Sequence, residues 1–194
     1  FTFGGTDEDR LSDLQEMLND NSIKAIMCAR GGYGAIRIVD GLDFSIFKVS
    51  PKWLIGFSDI TILHCHLNSN FHFASIHSKM CNSFPSNWSL AEPIQIDTIN
   101  SIQQALKGEK MKYSAPYNVN NRMGKVTGEL IGGNLRCIEN LAGSDSEIDT
   151  AGKSGSVSSE EIFNQLEKLG KLRENGILTD AEFAEQKKKL LEQL

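Results

Sequence analysis

The sequence predicts an α/β protein with a parallel, Rossmann-like sheet, followed by a C-terminal two-helix hairpin. Two short apolar segments, 23–29 and 53–55, are each followed by a glycine-containing turn and a helix-like segment. Strands that alternate with helices in this way are typical of a parallel sheet. At Gly143 the composition changes to small and polar residues, which is typical of a linker. We therefore expect an α/β domain, a flexible linker and a helical hairpin, covering residues 1–142, 143–159 and 160–194.

The composition excludes several classes of partner. The 194 residues carry a formal net charge of −5, which argues against nucleic acid because its binders expose a basic surface. No apolar run approaches the ~20 residues that span a bilayer, so we expect no membrane partner. The four cysteines lack C-x-x-C spacing, and His64 and His66 would point to different sides of a helix. These patterns predict reduced thiols in a cytoplasmic protein, no bound metal and no cofactor.

The first predicted elements are a helix and a strand. Residues 7–19 have apolar side chains at helical spacing and acidic residues at the start, and Thr6 is a suitable N-cap. Residues 23–29 form a short apolar strand. Because the helix precedes the strand, we expect an earlier strand ahead of Phe1 that the chain lacks.

A glycine-rich turn follows that strand. Gly31, Gly32 and Gly34 allow positive φ and close approach of a ligand, and a helix is expected from Ala35 to Gly41. Such a turn could bind an anion or donate N–H groups to an oxyanion. A tight turn without a ligand explains this stretch by itself equally well. The pattern is not G-x-G-x-x-G and has no P-loop lysine, which disfavours a nucleotide site.

The second unit places Ser58 between a strand and a helix. Trp53 to Ile55 form the strand, Gly56 allows a tight turn, and the helix continues through Leu67. A side chain at this point lies at the carboxyl edge of the sheet, where helix N–H groups meet a ligand. This is the position of a nucleophile elbow, although Gly-x-Ser-Asp differs from Gly-x-Ser-x-Gly. On spacing alone, the alternative that Ser58 caps the helix is the stronger one.

The remaining segments complete the pattern. In order, we expect a linking segment over 42–51, a strand over 71–76, a loop over 85–93, a helix over 94–107, and a glycine-punctuated stretch over 124–135 that opens a helix to Leu141. Beyond the linker, two amphipathic helices are separated by Asn175-Gly176, and Thr179 and Glu182 form a capping box. About 35 residues bury too little apolar surface alone, so the hairpin must pack on another copy or on the α/β part of the chain. We expect the first of these, which makes the protein a homo-oligomer.

Four runs of residues resemble the LD-carboxypeptidase family. They are Gly5-Thr6-Asp7 through Gln15, Ile23 through Gly34, Trp53-Leu54-Ile55-Gly56-Phe57-Ser58-Asp59-Ile60-Thr61, and Gly128-Glu129-Leu130-Ile131-Gly132-Gly133-Asn134. Members of this family are serine peptidases that release D-alanine from murein tetrapeptides, and relatives cleave microcin-type peptide conjugates. The resemblance covers residues 1–153. It implies a murein-peptide substrate, Ser58 as nucleophile, and an oxyanion hole formed by the N–H of Asp59 with an N–H of Gly31 or Gly32.

The same resemblance predicts an incomplete enzyme. The family's catalytic Glu and His come from a C-terminal domain after the Gly-Gly-Asn motif, where this chain has the predicted linker. The four histidines, which are His64, His66, His72 and His77, do not match the catalytic histidine of the family. A serine without its general base cannot lose its proton at neutral pH, so we expect a truncated chain that is inactive alone.

The tail resembles a different family. From about Glu160 it is similar to the SHOCT module, a short C-terminal helical hairpin with an interaction role. The matching runs are Leu166 through Leu169, Gly176 through Phe183 and Lys187 through Leu191. The alternative hypothesis is therefore an interaction protein in which the hairpin is the functional part.

Overall fold

A computed structural model of the chain describes residues 4–114, 116–119, 124–125, 127–151, 154–157 and 179–191. These residues form two compact units. The first contains the residues up to Ser114 together with Arg136–Asp149, and the second contains the described residues of 115–135 and 150–191. The first unit therefore differs in extent from the domain predicted over 1–142. None of the described helices is both long enough and apolar enough to cross a membrane.

The first unit begins with the predicted helix, α1 (Asp7–Asn19). The Thr6 hydroxyl accepts a hydrogen bond from the Asp9 N–H at 3.1 Å, and the Asp9 carboxylate accepts one from the Thr6 N–H at 2.9 Å. This capping box satisfies N–H groups that the helix leaves without internal partners. The predicted N-cap at Thr6 is confirmed.

A three-stranded parallel sheet forms the centre of the first unit. Its strands are β1 (Ala25–Met27), β2 (Trp53–Gly56) and β3 (Ile76–His77), in that spatial order. Ile26 pairs with Leu54, and Ile55 pairs with Ile76. Ile26, Leu54 and Ile55 are all buried. The predicted parallel α/β fold is confirmed, and short apolar strands are what a sheet covered on both faces requires.

The connection between β1 and β2 differs from the prediction. The helix expected from Ala35 to Gly41 is two 3-10 turns, Ala35–Arg37 and Val39–Gly41. Ile36, Ile38 and Val39 are β-branched, which lowers helix propensity slightly, and the Asp59 carboxylate binds the N–H groups of Gly34 and Ala35 where the helix was expected to begin. The linking segment expected over 42–51 contains a short helix, α2 (Ser45–Val49), whose Phe47 is almost fully buried.

Between β2 and β3 lies α3 (Thr61–Phe71), which ends at His72 in the left-handed conformation. Because α3 continues to Phe71, the strand predicted over 71–76 is reduced to β3. The helix predicted over 94–107 is confirmed as α4 (Pro93–Leu106). Short 3-10 turns, Cys81–Ser83 and Trp88–Leu90, precede it, the second of them within the loop expected over 85–93.

The last part of the first unit, Arg136–Asp149, contains all of α5 (Leu135–Asn140) except its first residue, and the segment that follows it. Ser69 Oγ donates to the Glu147 carbonyl at 2.7 Å, and Asn70 Nδ2 donates to the Asp145 carbonyl at 2.8 Å. Residues 143–149 are thus attached to α3, although their polar composition predicted a flexible linker. The composition could not indicate this, because the partners are α3 groups more than seventy residues away.

The second unit contains a two-stranded parallel sheet and a helix. Its strands are β4 (Leu130–Gly133) and β5 (Ser154–Val157), with Leu130 paired to Ser154. Strand β5 lies in the segment expected to be a linker. The second helix of the predicted hairpin corresponds to α6 (Asp180–Leu191). The first helix of the hairpin falls outside the described residues.

Candidate active site

Ser58 lies at the point where β2 turns into a helix. The strand ends at Gly56, a 3-10 turn covers Ser58–Ile60, and α3 begins at Thr61. Ser58 does not cap this helix, because the N-cap residues of the 3-10 turn and of α3 are Phe57 and Ile60. The capping alternative is therefore wrong, and the half-buried Ser58 side chain is available for another role.

The backbone of Ser58 is in a strained conformation. Its φ is 59°, and among the described non-glycine residues it shares positive φ only with His72. His72 ends α3, where the left-handed conformation is common. Ser58 lies between a strand and a helix, where the left-handed conformation is not a common way to end an element. For a residue with a side chain this conformation costs about 1 kcal/mol. Strain of this kind is concentrated at functional sites, and it is a property of nucleophile elbows.

The glycine turn after β1 lies directly against Ser58. A Cβ added at Gly31 would stand 3.1 Å from Ser58 Cβ and 3.3 Å from its Oγ. A Cβ added at Gly32 would meet no atom within 4 Å. The two strand–turn units therefore bring their turns together at one edge of the sheet. Gly31 makes this close approach possible, and the space beside Gly32 is open.

A carboxylate connects the two turns. Asp59 Oδ2 accepts hydrogen bonds from the N–H groups of Gly34 and Ala35, each at 2.9 Å. Asp59 is only 9% exposed, so these bonds are shielded from water. The bonded N–H groups lie at the start of the 3-10 turn after the glycines, where a carboxylate is favourable. The family resemblance implied a role for the backbone N–H of Asp59, whereas the hydrogen bonds of its carboxylate to the glycine turn were not predicted.

An ion-pair network holds the other side of the glycine turn. A Cβ at Gly34 would lie 2.3 Å from Arg10 Nη1, so only glycine leaves room for the Arg10 guanidinium. Arg10 donates to Asp7, and Arg37 Nε donates to the same carboxylate at 2.8 Å. Desolvation opposes ionisation of Asp7, but these two arginines hold its pKa below the ordinary value. The network joins α1 to the turn, and no short-range pattern in the sequence indicated it.

Helix α5 also reaches the Ser58 turn. The Cys137 thiol donates a weak hydrogen bond to the Ser58 carbonyl, with sulfur and oxygen 3.7 Å apart. Cys137 lies three residues after the Gly-Gly-Asn motif. Residues that follow this motif therefore support the backbone of Ser58.

Two histidines that follow Ser58 in the sequence, His64 and His66, are hydrogen-bonded to groups other than Ser58. His64 Nε2 donates to the Gly56 carbonyl at 3.0 Å, and burial lowers the pKa of His64 to about 4. Its buried Nδ1 has no partner in the described part of the chain. His66 Nδ1 bonds to Ser146 Oγ at 2.8 Å, and desolvation lowers its pKa. The exposed His77 has its ring centre 5.9 Å from that of His64. His64 is thus a neutral group that supports the end of β2.

This arrangement combines a serine hydroxyl, a glycine turn held by the Asp59 carboxylate and lying against that serine, and open space beside Gly32. Acyl-transfer sites use a serine hydroxyl beside a backbone turn of this kind. Within the described ranges, no cluster of three or more His, Cys, Asp or Glu side chains could hold a metal ion. The geometry defines an α/β domain with a serine in a strained turn between a strand and a helix.

Comparison with known families specifies the class further. Residues 1–78 match the LD-carboxypeptidase N-terminal domain, and residues 164–191 match the SHOCT family, described as a short C-terminal domain. Both resemblances seen in the sequence are confirmed. The α/β part of the chain is therefore of the LD-carboxypeptidase type.

Relatives with curated descriptions are similar to this chain well beyond residues 1–78. The chain is 35% identical over 186 residues to a probable murein peptide carboxypeptidase of Bacillus subtilis, covering 91% of this chain and 56% of that protein. It is 33% identical over 147 residues to the murein tetrapeptide carboxypeptidase of Pseudomonas aeruginosa, covering 72% of this chain and 46% of that protein. The chain thus spans about half the length of these relatives.

Solved structures share the fold. The muramoyltetrapeptide carboxypeptidase from Oxalobacter formigenes has a TM-score of 0.63 and 26% identity, covering 91% of this chain and 59% of that one. MccF, in a complex with glutamyl sulfamoyl guanosine, has a TM-score of 0.63 at 19% identity, covering 89% of this chain and 60% of that one. The second likeness concerns the fold alone.

Proposed function

We propose that the α/β part is the nucleophile-bearing portion of a serine carboxypeptidase that acts on murein peptides, with Ser58 as the nucleophile. The observation that carries this proposal is the strained backbone of Ser58 next to Gly31. Ser58 caps no helix, so capping does not explain its strained backbone. The strain is explained if this conformation exposes the serine hydroxyl at the edge of the sheet. The names of the relatives support the substrate class.

The oxyanion hole in this proposal consists of the Asp59 N–H and an N–H of Gly31 or Gly32. The Asp59 carboxylate fixes the glycine turn before substrate binds. Hydrogen-bond donors that are already in position need no reorganisation during the reaction, and they are usually the largest single contribution to lowering the activation barrier. The open space beside Gly32 leaves room for a substrate carbonyl. Loss of one such donor typically reduces kcat by about 10²–10³-fold.

The general base comes from outside this chain in our proposal. His64 donates its Nε2 proton to Gly56, and His66 is bonded to Ser146, so neither is oriented as a base for Ser58. The family resemblance assigns that role to a Glu and a His of a further domain. We therefore expect the chain alone to release no D-alanine above background, since a missing base costs several orders of magnitude.

Measurement of D-alanine release from murein tetrapeptide tests this function. The chain is assayed alone and after addition of the separately expressed C-terminal half of the Bacillus subtilis relative. Release that needs both parts, and that Ser58→Ala abolishes while the exposed-serine control Ser86→Ala does not, supports the proposal. Turnover by the chain alone, lost in Ser58→Ala, means that a base within the chain was missed. Turnover that Ser58→Ala leaves intact excludes Ser58 as the nucleophile.

A second candidate function is interaction through the C-terminal part. The SHOCT match over 164–191 favours it. In this proposal residues 160–194 are the functional part and make the protein a homo-oligomer. The α/β part then has no catalytic role of its own. Light scattering on the full chain and on a version ending at Gly155 tests it. If both proteins are monomeric at tens of micromolar, or if both associate equally, the hairpin is excluded as the cause of oligomerisation.

We propose that the protein is located in the cytoplasm. The four cysteines are free thiols in this structure, and disulfides are rare in that compartment. Cell fractionation with an antibody against the protein tests the location, and recovery in the membrane or extracellular fraction would contradict it.

A further inference from the structure

Two cysteines lie next to each other at the base of the glycine turn. Cys28 directly follows β1, and Cys81 begins the 3-10 turn Cys81–Ser83. The Cys81 N–H donates to the Cys28 carbonyl at 3.2 Å, and the Asn82 N–H donates to the Ala29 carbonyl at 3.1 Å. A backbone N–H···O=C bond between two residues brings their Cα atoms to within about 7 Å of each other, and disulfides bridge Cα atoms roughly 4.4–6.8 Å apart. The backbone therefore holds the two cysteines side by side, close to the range that a disulfide spans.

The Cys81 side chain is directed toward the end of β1. The Cys81 thiol points to the carbonyl of Met27, the neighbour of Cys28, with sulfur and oxygen 3.9 Å apart. Cys81 is exposed, whereas Cys28 is partly buried. Burial and the nearby Cys81 together raise the pKa of Cys28 to about 11. Cys81 is thus the thiol that a dissolved oxidant meets first, and Cys28 stays protonated beside it.

We propose that Cys28 and Cys81 form an oxidisable dithiol that a peroxide converts into an intramolecular disulfide. In the first step the Cys81 sulfur attacks the peroxide, an S–O bond forms, the O–O bond breaks, and one water leaves. In the second step the Cys28 sulfur attacks the Cys81 sulfenic acid, an S–S bond forms, the S–O bond breaks, and a second water leaves. The two thiols lose two electrons and two protons, and the peroxide is reduced to two waters.

The disulfide would act on the site described above. Gly31 lies three residues after Cys28, and Met80 lies directly before Cys81. Met80 is 2% exposed, and its Cε is 3.5 Å from the position of a Cβ at Gly31. A bond between the cysteines would join the chain that enters the glycine turn to the segment packed beneath it. The proposal does not require Ser58 to be a nucleophile.

Peptide mapping of the full chain tests the proposal. The reduced protein is freed of reductant, treated with hydrogen peroxide, alkylated with N-ethylmaleimide in denaturant and cleaved with trypsin. Each cysteine then falls on its own peptide, with Cys28 on 25–30 and Cys81 on 80–107. We expect peptides 25–30 and 80–107 to be joined, two of the four thiols to resist alkylation, and dithiothreitol to reverse both effects. Because the bond closes a long loop, Tm should rise by about 5 °C or more.

Two variants make the experiment selective. Cys81→Ser removes the exposed partner and should abolish the joined peptides and the rise in Tm. Cys65→Ser, at a buried cysteine of α3, is the matched control and should leave both unchanged. The proposal is overturned if both peptides are recovered alkylated, if Cys81 is recovered as a sulfinic or sulfonic acid, or if the disulfide joins two chains or a different pair.

Discussion

The two strand–turn units of the sheet reach the same edge by different means. After β1 the chain turns through Gly31, Gly32 and Gly34, and the helix that follows is broken into 3-10 turns. After β2 it turns at Ser58, a residue with an unfavourable φ, and then continues into the regular helix α3. None of these three glycines has a positive φ, and the Asp59 carboxylate holds the end of their turn through the N–H groups of Gly34 and Ala35. The turn at Ser58 keeps a strained φ. The glycine turn is thus positioned by hydrogen bonds to a side chain, and the serine turn is positioned by the packing around it.

The largest expected effect follows from removing the carboxylate that joins the turns. Asp59→Ala leaves the N–H groups of Gly34 and Ala35 without their acceptor, and we expect it to lower the free energy of unfolding by about 3 kcal/mol. Asp59→Asn is the matched control, because its amide oxygen can still accept both bonds, and it should cost about 1 kcal/mol. Urea denaturation of the three proteins measures both. Equal losses for the two variants would mean that the hydrogen bonds do not position the turn.

The next effect concerns the histidine beneath the serine turn. The pKa of His64 is about 4 in the folded protein and about 6.5 when unfolded, so the unfolded chain binds more protons between these values. Its contribution is complete above pH 6.5 and is lost as the pH falls toward 4. Between pH 7.5 and pH 5 we expect a loss of about 2 kcal/mol from this group.

Urea denaturation at the two pH values, compared with that of His64→Gln, isolates this contribution. His72→Asn is the control, because asparagine also tolerates the left-handed cap and His72 is exposed. The variant at His64 should flatten the pH dependence, and the control should keep it. An unchanged pH dependence in His64→Gln would contradict the role of His64 as a buried neutral group.

A smaller effect separates two glycines of the same turn. Gly31→Ala places a methyl group 3.1 Å from Ser58 Cβ, so the two turns must move apart, and we expect a loss of about 1–2 kcal/mol. Gly32→Ala meets no atom within 4 Å and should be neutral or stabilising by less than about 1 kcal/mol. Thermal unfolding of both variants measures the difference. Equal effects would show that Gly31 is not packed against Ser58.

The smallest effect has the opposite sign. Ser58→Gly relieves the positive φ, and we expect a gain of about 0.5–1 kcal/mol after the entropic cost of glycine. The same change removes the proposed nucleophile, so stability and function should move in opposite directions. Urea denaturation beside Ser58→Ala, which keeps the strain, measures the gain. A loss of stability in Ser58→Gly relative to Ser58→Ala would mean that Ser58 is not strained.

Local patterns in the sequence determined the type of fold and the position of the turns. Short apolar segments followed by glycine turns predicted the parallel strands, and Gly56-Phe57-Ser58-Asp59 placed the serine between strand and helix. These features depend on residues close in sequence, which is why periodicity and turn chemistry could predict them. The α-helix expected from Ala35 to Gly41 was wrong, because apolar spacing alone does not distinguish an α-helix from the two 3-10 turns that form there.

Only the tertiary structure decided which distant groups meet. The bonds from Gly34 and Ala35 to Asp59, the guanidinium of Arg10 against Gly34, and the pairing of Cys28 with Cys81 each join residues that lie far apart along the chain. Residues 143–149 have the composition of a linker, yet they are bonded to α3. Such contacts depend on the path of the whole chain through space. Local sequence determines the conformations that each segment favours, and packing between segments then selects the partners of each polar group.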